Sequence, residues 1–410
     1  MEELIQLSRR FLSLNNKSYK RYFLEANKLQ NQTSIIIGQR GVGKTVTLVQ
    51  SLLESFGGDI LTKKAIYIPV DHFVVSRYPL YEIAEFFYNS GVELICFDEI
   101  HKYKNWSKEL KSIHDTFPDL RIIASGSSAL EIHRESHDLS RRAIVYRLPG
   151  LSLREFIGIR TGINLPAFSL EQIVKNHEVL AENVLESLEK KNEKILFHFR
   201  EYLRHGYYPY FLSFEEEKLF HITLEQNIHY TLESDLCAVY PFLNGSSIRK
   251  IKKLLSLISS SVPFTPDLKS LKNKLEIGDE RTLKSYFKYL EDSGIIKTFS
   301  KSGRGLDELV KPDKIYLNNC NQMFALCSES EENKGTMRET FFASMVSLKH
   351  KLSIPEQGDF IVDGKMTFEI GGRNKSFSQI KNKSHSFLAL DDMVSGIGNK
   401  IPLWLFGFIY

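Results

Sequence analysis

Cysteine is scarce in this chain. The four among 410 residues are Cys96, Cys237, Cys320 and Cys327. Only the last two lie near each other, and their C-x6-C spacing fits no common zinc pattern. So few thiols exclude a disulfide framework and suit a reducing compartment. Long apolar runs are lacking as well, since none approaches the ~20 residues that span a bilayer. The opening MEELIQLSRRF carries acids where a signal peptide carries basic residues. These absences lead to the expectation of a cytoplasmic chain with no membrane partner. A large net charge is absent too: the value of +4 argues neither for nor against a nucleic-acid partner.

What the chain has is the composition of a folded protein, 42% apolar and 25% charged. Its length is too great for one ordinary core, so two or three domains are expected. Charge is unevenly spread. Between Gly245 and Arg304 stand thirteen Lys or Arg against six Asp or Glu, so one segment is basic and the remainder is slightly acidic.

The segment SIIIGQRGVGKTVTLVQSLLESF passes from an isoleucine-rich run through glycines to an amphipathic stretch, which reads as strand, loop and helix. Gly38, Gln39, Arg40, Gly41, Val42, Gly43, Lys44 and Thr45 match G-x-x-x-x-G-K-[ST] at every fixed position. Such glycines let the backbone curl until its N–H groups point at phosphate oxygens, and the helix N-terminus adds a favourable dipole. In this arrangement Lys44 reaches the β- and γ-phosphates and Thr45 holds Mg²⁺. ATP and Mg²⁺ are therefore the expected ligands.

Downstream, Leu94 to Phe97 form an apolar run that ends in Asp98 and Glu99. That is the pattern of a buried parallel strand opening on the nucleotide at its C-terminal end. Asp98 is placed for Mg²⁺ and Glu99 for polarising the attacking water. A third run, Leu120 to Ala124, ends in Ser125-Gly126-Ser127-Ser128, where Ser127 is assigned a sensor role and a helix cap fits the spacing equally. Arg141 and Arg142 then precede a short β run. Either an arginine from this pair stabilises charge on the γ-phosphate, from the same subunit or a neighbour, or the pair is a surface feature; Arg142 is the assigned residue.

With GQRGVGKT, CFDEIH, ASGSS and LSRRAIVYRLPGLSLREF in that order, the chain resembles bacterial and archaeal AAA-type ATPases that continue into a C-terminal domain of unknown function with a restriction-endonuclease-like fold. The resemblance implies an α/β architecture: a P-loop parallel sheet with a helical lid, then a winged helix and a PD-(D/E)xK-like α/β domain. The expected boundaries are 1–160 for the ATPase core, 161–240 for the lid, 241–308 for the winged helix and 309–410 for the last domain.

In the lid region, EYLRHGYYPYF reads as an aromatic-packed turn shaped by Gly206 and Pro209. The basic segment reads as three helices and a small hairpin, with Arg281, Lys284 and Lys288 on one face of the third helix. Double-stranded DNA and a protein partner are the two readings of that face. In the last domain, GDFIVDGKMTFEIGGRNKS reads as two strands about a tight turn at Asp363-Gly364. Asp359, Glu369 and the helix residue Glu339 occupy the acid positions of a two-metal nuclease. The lysine expected two residues after Glu369 is replaced by Gly371, and Lys375 lies beyond a glycine pair. Either the site cuts nucleic acid under ATP control, or it is a degenerate nuclease fold used for binding. The closing KIPLWLFGFIY reads as a buried final strand. The resulting expectation is a Mg²⁺-dependent ATPase that couples nucleotide state to its C-terminal domains, with an ATP-liganded scaffold of low turnover as the alternative and oligomerisation open.

Overall fold

Short runs rich in apolar residues, many of them β-branched or aromatic, mark the N-terminal part, and five of them become strands. They are β1 (Thr33–Ile37), β2 (Ala65–Pro69), β3 (Leu94–Asp98), β4 (Arg121–Gly126) and β5 (Ala143–Arg147). In this computed structural model they form one sheet of order β2-β3-β4-β1-β5, with every neighbouring pair parallel. The structure describes residues 1–126, 139, 141–240, 242–301, 311–327, 333–381 and 383–410. β1, β2 and β3 are buried along their whole length, as parallel strands covered on both faces must be. Two helices matter for the site. α1 (Glu2–Asn15) lies against β2, and α2 (Lys44–Ser55) follows the glycine loop after β1.

The chain divides into two compact units, the first built on Met1–Gly150 and the second on Leu151–Cys237 with Phe242–Tyr410. The helices expected as a lid thus belong to the second unit. There the phrase EYLRHGYYPYF forms a π-helical turn, Tyr202–Gly206. Such turns leave backbone groups out of register. The buried Asn321 takes them up: its Nδ2 donates to the carbonyls of Tyr202 and Leu203, at 3.0 and 2.9 Å, and its Oδ1 accepts from Tyr207 N at 2.8 Å. Gly206 is required here, because a Cβ would stand 2.6 Å from Tyr202 Cδ2 and 2.8 Å from Phe156 Cδ2.

The basic segment forms three helices, α3 (Gly245–Ser259), α4 (Leu268–Lys274) and α5 (Glu280–Asp292). Gly294 stops the last with φ 74°. An antiparallel ribbon of β6 (Ile296–Phe299) and β7 (Lys314–Leu317) follows. Then come α6 (Cys320–Leu326), α7 (Asn333–Val346) and a second sheet of order β12-β11-β10-β9-β8. Its strands are β8 (Leu352–Ser353), β9 (Phe360–Val362), β10 (Met366–Gly371), β11 (Ser386–Leu390) and β12 (Lys400–Pro402). β8, β9 and β10 run antiparallel, while β10, β11 and β12 run parallel. The turn expected at Asp363-Gly364 is present, with φ of 51° and 69° at the two positions.

Against this sheet α7 packs Phe342 onto Phe360, Phe368 and Phe406. All four rings are fully buried, and each contributes about 1.5–3 kcal/mol of burial. The closing segment corrects an expectation. Only Lys400–Pro402 is strand, and Leu403–Phe408 turns into a buried 3₁₀ helix. Gly407 packs closely there, since a Cβ would meet Leu153 Cβ at 2.5 Å.

Candidate nucleotide site

At the C-terminal end of β1 the backbone makes the curl that the glycines allow. Gly41 and Gly43 adopt φ of 87° and 95°, and Gly43 is the N-cap of α2. Gly38 has no room for a side chain, since a Cβ would lie 2.5 Å from Leu148 O. Val42 is buried. Lys44, also buried, folds back so that Nζ donates to the carbonyls of Gly38 and Gln39 at 3.0 and 2.9 Å. The loop is thereby closed around its own lysine, with Arg40 and Gly41 at its tip. Arg21, which the sequence reading did not single out, braces it from outside. One guanidinium nitrogen donates to Val42 O at 2.8 Å and the other to Pro149 O and Gly150 O at 3.0 and 2.9 Å.

β3 delivers Asp98 to the same edge. Thr45 Oγ1 donates to Asp98 Oδ2 at 2.7 Å, so residues 53 apart in sequence meet. Glu99 follows in the left-handed region, φ 54°, which turns its side chain away from the strand line. Its Oε2 lies 3.6 Å from Nε2 of the buried His101. Because β4 separates β1 from β3, the strand bearing the serines lies beside the acids. Ser125 Oγ donates to Asp98 Oδ1, and Glu99 N approaches Ser125 Oγ at 3.3 Å. Among the described residues of that run, Ser125 is the hydroxyl that touches the acid. Ser127 lies outside the described residues. At the end of β2, Asp71 is a third acid. Burial and the nearby charges of Glu99 and Asp98 raise its carboxyl above the usual range.

The register places Arg142 elsewhere. β5 sets Ala143 opposite Thr33 and Arg147 opposite Ile37, so Arg142 stands at the start of the sheet, about 13 Å, one strand length, from the loop that follows Ile37. There it makes a two-pronged bond to Asp115, Nε to Oδ1 at 2.6 Å and Nη2 to Oδ2 at 3.0 Å. That bond holds the Asp115 carboxyl below its ordinary value. Arg141 precedes it on the same side. Of the two alternatives left open for Arg142, action within its own subunit or from a neighbour, the register sets it away from its own subunit's phosphate loop, and the arginine of this segment at the loop end of the sheet is Arg147.

Thr45 and Asp98 suit Mg²⁺: a hydroxyl and a carboxylate oxygen, already in contact at the mouth of a loop that presents backbone N–H groups. Residues 30–157 match the family described as AAA domain, and residues 196–328 match a domain of unknown function, DUF8612. The first unit carries an AAA-type P-loop ATPase domain. Among similar proteins, the uncharacterized protein MJ1637 of Methanocaldococcus jannaschii is 28% identical over 291 residues, covering 65% of this chain but 58% of that protein's own length. MJ1544 of the same organism is 21% identical over 369 residues, 87% of this chain and 76% of that protein. Among solved structures, the Walker-type ATPase PABY2304 of Pyrococcus abyssi aligns with 77% of this chain and 99% of its own, at 12% identity and a TM-score of 0.38.

The second set of acids lies in the C-terminal sheet. Glu369 on β10 is buried, and Lys375 Nζ sits 2.6 Å from its Oε1. Lys375 thus swings back past the glycine pair: a Cβ at Gly371 would fall 2.7 Å from both Cβ and Cγ of Lys375, so the lysine stem fills the space that a residue-371 side chain would take. Gln379, with its amide turned, donates to both Glu369 oxygens at 2.6 and 3.1 Å. Asp359 Oδ2 accepts from Ile370 N at 2.7 Å, and Glu339 Oε2 accepts from Tyr316 at 2.6 Å. Burial and the charge of Asp359 push the Glu339 carboxyl up to about 6. Burial also raises Glu369, with Asp359 adding to it against the bond from Lys375. Each acid is thus engaged by a protein donor, and among the described residues no group of three or more His, Cys, Asp and Glu could hold a metal ion. The expected metal set of Asp359, Glu369 and Glu339 is not assembled as ligands.

The basic face is smaller than its composition suggests. Lys253 Nζ donates to Lys274 O, at 2.8 Å, and Lys250 Nζ to Glu276 O, at 2.5 Å, so two lysines of α3 cap the end of α4. On α5, Arg281 is exposed and Lys288 pairs with Asp292 at 3.0 Å. Among the described residues no helix is long and apolar enough to cross a membrane.

Proposed function

We infer that the chain is a cytoplasmic Mg²⁺-dependent ATPase whose nucleotide state alters the conformation of its C-terminal part. The observation that carries this reading is the Thr45–Asp98 bond of 2.7 Å, which joins the phosphate loop to the strand-end acid. Thr45 and Asp98 would hold Mg²⁺, which when bound neutralises charge on the phosphates. Lys44 exchanges its two loop carbonyls for β- and γ-phosphate oxygens. Glu99 accepts a proton from the attacking water and aligns it with the γ-phosphorus. Ser127 serves as a sensor of the γ-phosphate. An arginine in trans, Arg142 of a neighbouring copy, supplies the remaining positive charge, and this requires an oligomer. The test is direct. Purified protein should bind ATP and release phosphate, Glu99→Gln should bind without release, and Lys44→Ala should lose binding; phosphate release that persists in Glu99→Gln would overturn the assignment.

Three helices followed by an antiparallel ribbon support a winged-helix reading of α3 to β7, with Arg281 and Lys284 contacting the phosphates of double-stranded DNA; a protein partner is the other reading of this surface. A phosphate-release rate that rises with added duplex, and ceases to rise in Arg281→Glu with Lys284→Glu, supports the DNA reading.

A second reading, an ATP-gated nuclease with a restriction-endonuclease-like last domain, is favoured by one observation. Lys375 reaches Glu369 across Gly371, which returns an ammonium to the acids by a longer route. Metal-dependent cleavage of plasmid DNA that is lost in Lys375→Ala and Asp359→Ala supports it, and cleavage unchanged in both removes it.

A further inference from the structure

Asp98 is held by more than the phosphate loop. Among the described residues, four donors point at its carboxylate. Thr45 Oγ1 and Tyr67 Oη reach Oδ2 at 2.7 and 2.5 Å, while Ser125 Oγ and, at 3.2 Å, Glu99 N reach Oδ1. Thr45, Glu99 and Ser125 belong to recognised segments of the site. Tyr67 belongs to none.

Tyr67 sits on β2, opposite Cys96 of β3. Asp98 is two residues past Cys96 and so projects from the same face of the sheet. The tyrosine is fully buried, its ring stacks on Phe11 of α1 at 5.5 Å and 23°, and its backbone N donates to Ser8 Oγ at 2.9 Å. α1 therefore clamps the ring from one side while the hydroxyl meets the acid on the other. A buried phenol in that position has a structural alternative, since burial alone requires its O–H to find a partner. Two facts favour a role at the site. The partner is the one acid of β3 that also meets Thr45, and both hydroxyls share a single oxygen of it.

We propose that Tyr67 is a positioning residue for the metal–nucleotide site: its hydroxyl, held by α1, fixes the rotation of the Asp98 carboxylate so that it and Thr45 present a preformed seat to Mg²⁺·ATP. This rests on the ATPase reading above. A carboxylate left free to rotate about its Cβ–Cγ bond loses that preorganisation, and partners of this kind typically change metal affinity 10–100-fold. Tyr67→Phe keeps the ring, its stack on Phe11 and the backbone bond to Ser8, and removes only the donor.

The experiment titrates a fluorescent ATP analogue into full-length protein, once in excess EDTA and once across a Mg²⁺ series. In Tyr67→Phe the EDTA affinity should match wild type, while the Mg²⁺ needed for half-maximal enhancement rises roughly 10-fold or more. Ser125→Ala, which removes the donor on the other oxygen, should show the same split. A merely structural tyrosine would lower both affinities together or neither, and either result overturns the proposal. Failure of the wild type to bind the analogue at all would instead overturn the ATPase reading on which it stands.

Discussion

Lys375 reaches the buried Glu369 by crossing Gly371, with Nζ 2.6 Å from Oε1 and the stem occupying the volume a side chain at 371 would need. Burial works to lower the ammonium, but the bond to Glu369 and the charges of Asp359 and Glu339 outweigh it and hold Lys375 above the ordinary lysine value. Gly371→Ala should therefore expel the stem and cost about 1–3 kcal/mol of overpacking, read as a lowered urea midpoint at unchanged m-value.

Removing the ammonium should act through pH. The Glu369 carboxyl is already raised in the folded protein, so its ionisation opposes folding as pH rises above the ordinary carboxylate value. Lys375→Met deletes a bond that counters this rise. The variant should lose more stability at pH 7.5 than at pH 4.5, and equal losses at both would exclude the linkage.

Glu339 offers the reverse experiment. Its folded value of about 6 lies above the ordinary 4.5, so its favourable contribution is complete below pH 4.5 and is lost as pH climbs through 6. Glu339→Gln keeps an acceptor for Tyr316 and should stabilise the protein by up to about 2 kcal/mol at pH 7.5. At pH 4.5 the gain should vanish. Denaturant titrations at the two pH values measure the difference.

Asn321 satisfies three backbone groups of the π-helical turn from a buried position. Asn321→Leu, close in volume, leaves all three without that partner. A loss of about 2–4 kcal/mol follows, and amide exchange at Tyr207 should accelerate ahead of the sheet amides.

Arg142 separates two modes of charge stabilisation. Because it stands a strand length from the phosphate loop, Arg142→Ala should leave ATP affinity unchanged in dilute protein. Turnover should fall at concentrations where copies associate, and activity should return on mixing with Lys44→Ala, which contributes an intact Arg142. A fall in affinity at every concentration would contradict the register.

Much of this molecule was legible in residue order. The phosphate loop is local: glycines at fixed spacing, a lysine and a threonine between an apolar run and an amphipathic one, so a strand, a curl and a helix follow from neighbours alone. The same holds for the Asp363-Gly364 turn and the helix stop at Gly294. Tertiary structure decided what depends on pairing between distant segments. The parallel register of β1 and β5 moved Arg142 to the far end of the sheet, the contact of β2 with β3 brought Tyr67 to Asp98, and Arg21 found carbonyls 21 and more residues away. None of these leaves a periodic or compositional trace. Lys375 shows the limit most plainly, for spacing alone measures the chain, whereas an ammonium on four methylenes reaches an acid wherever a glycine leaves it room.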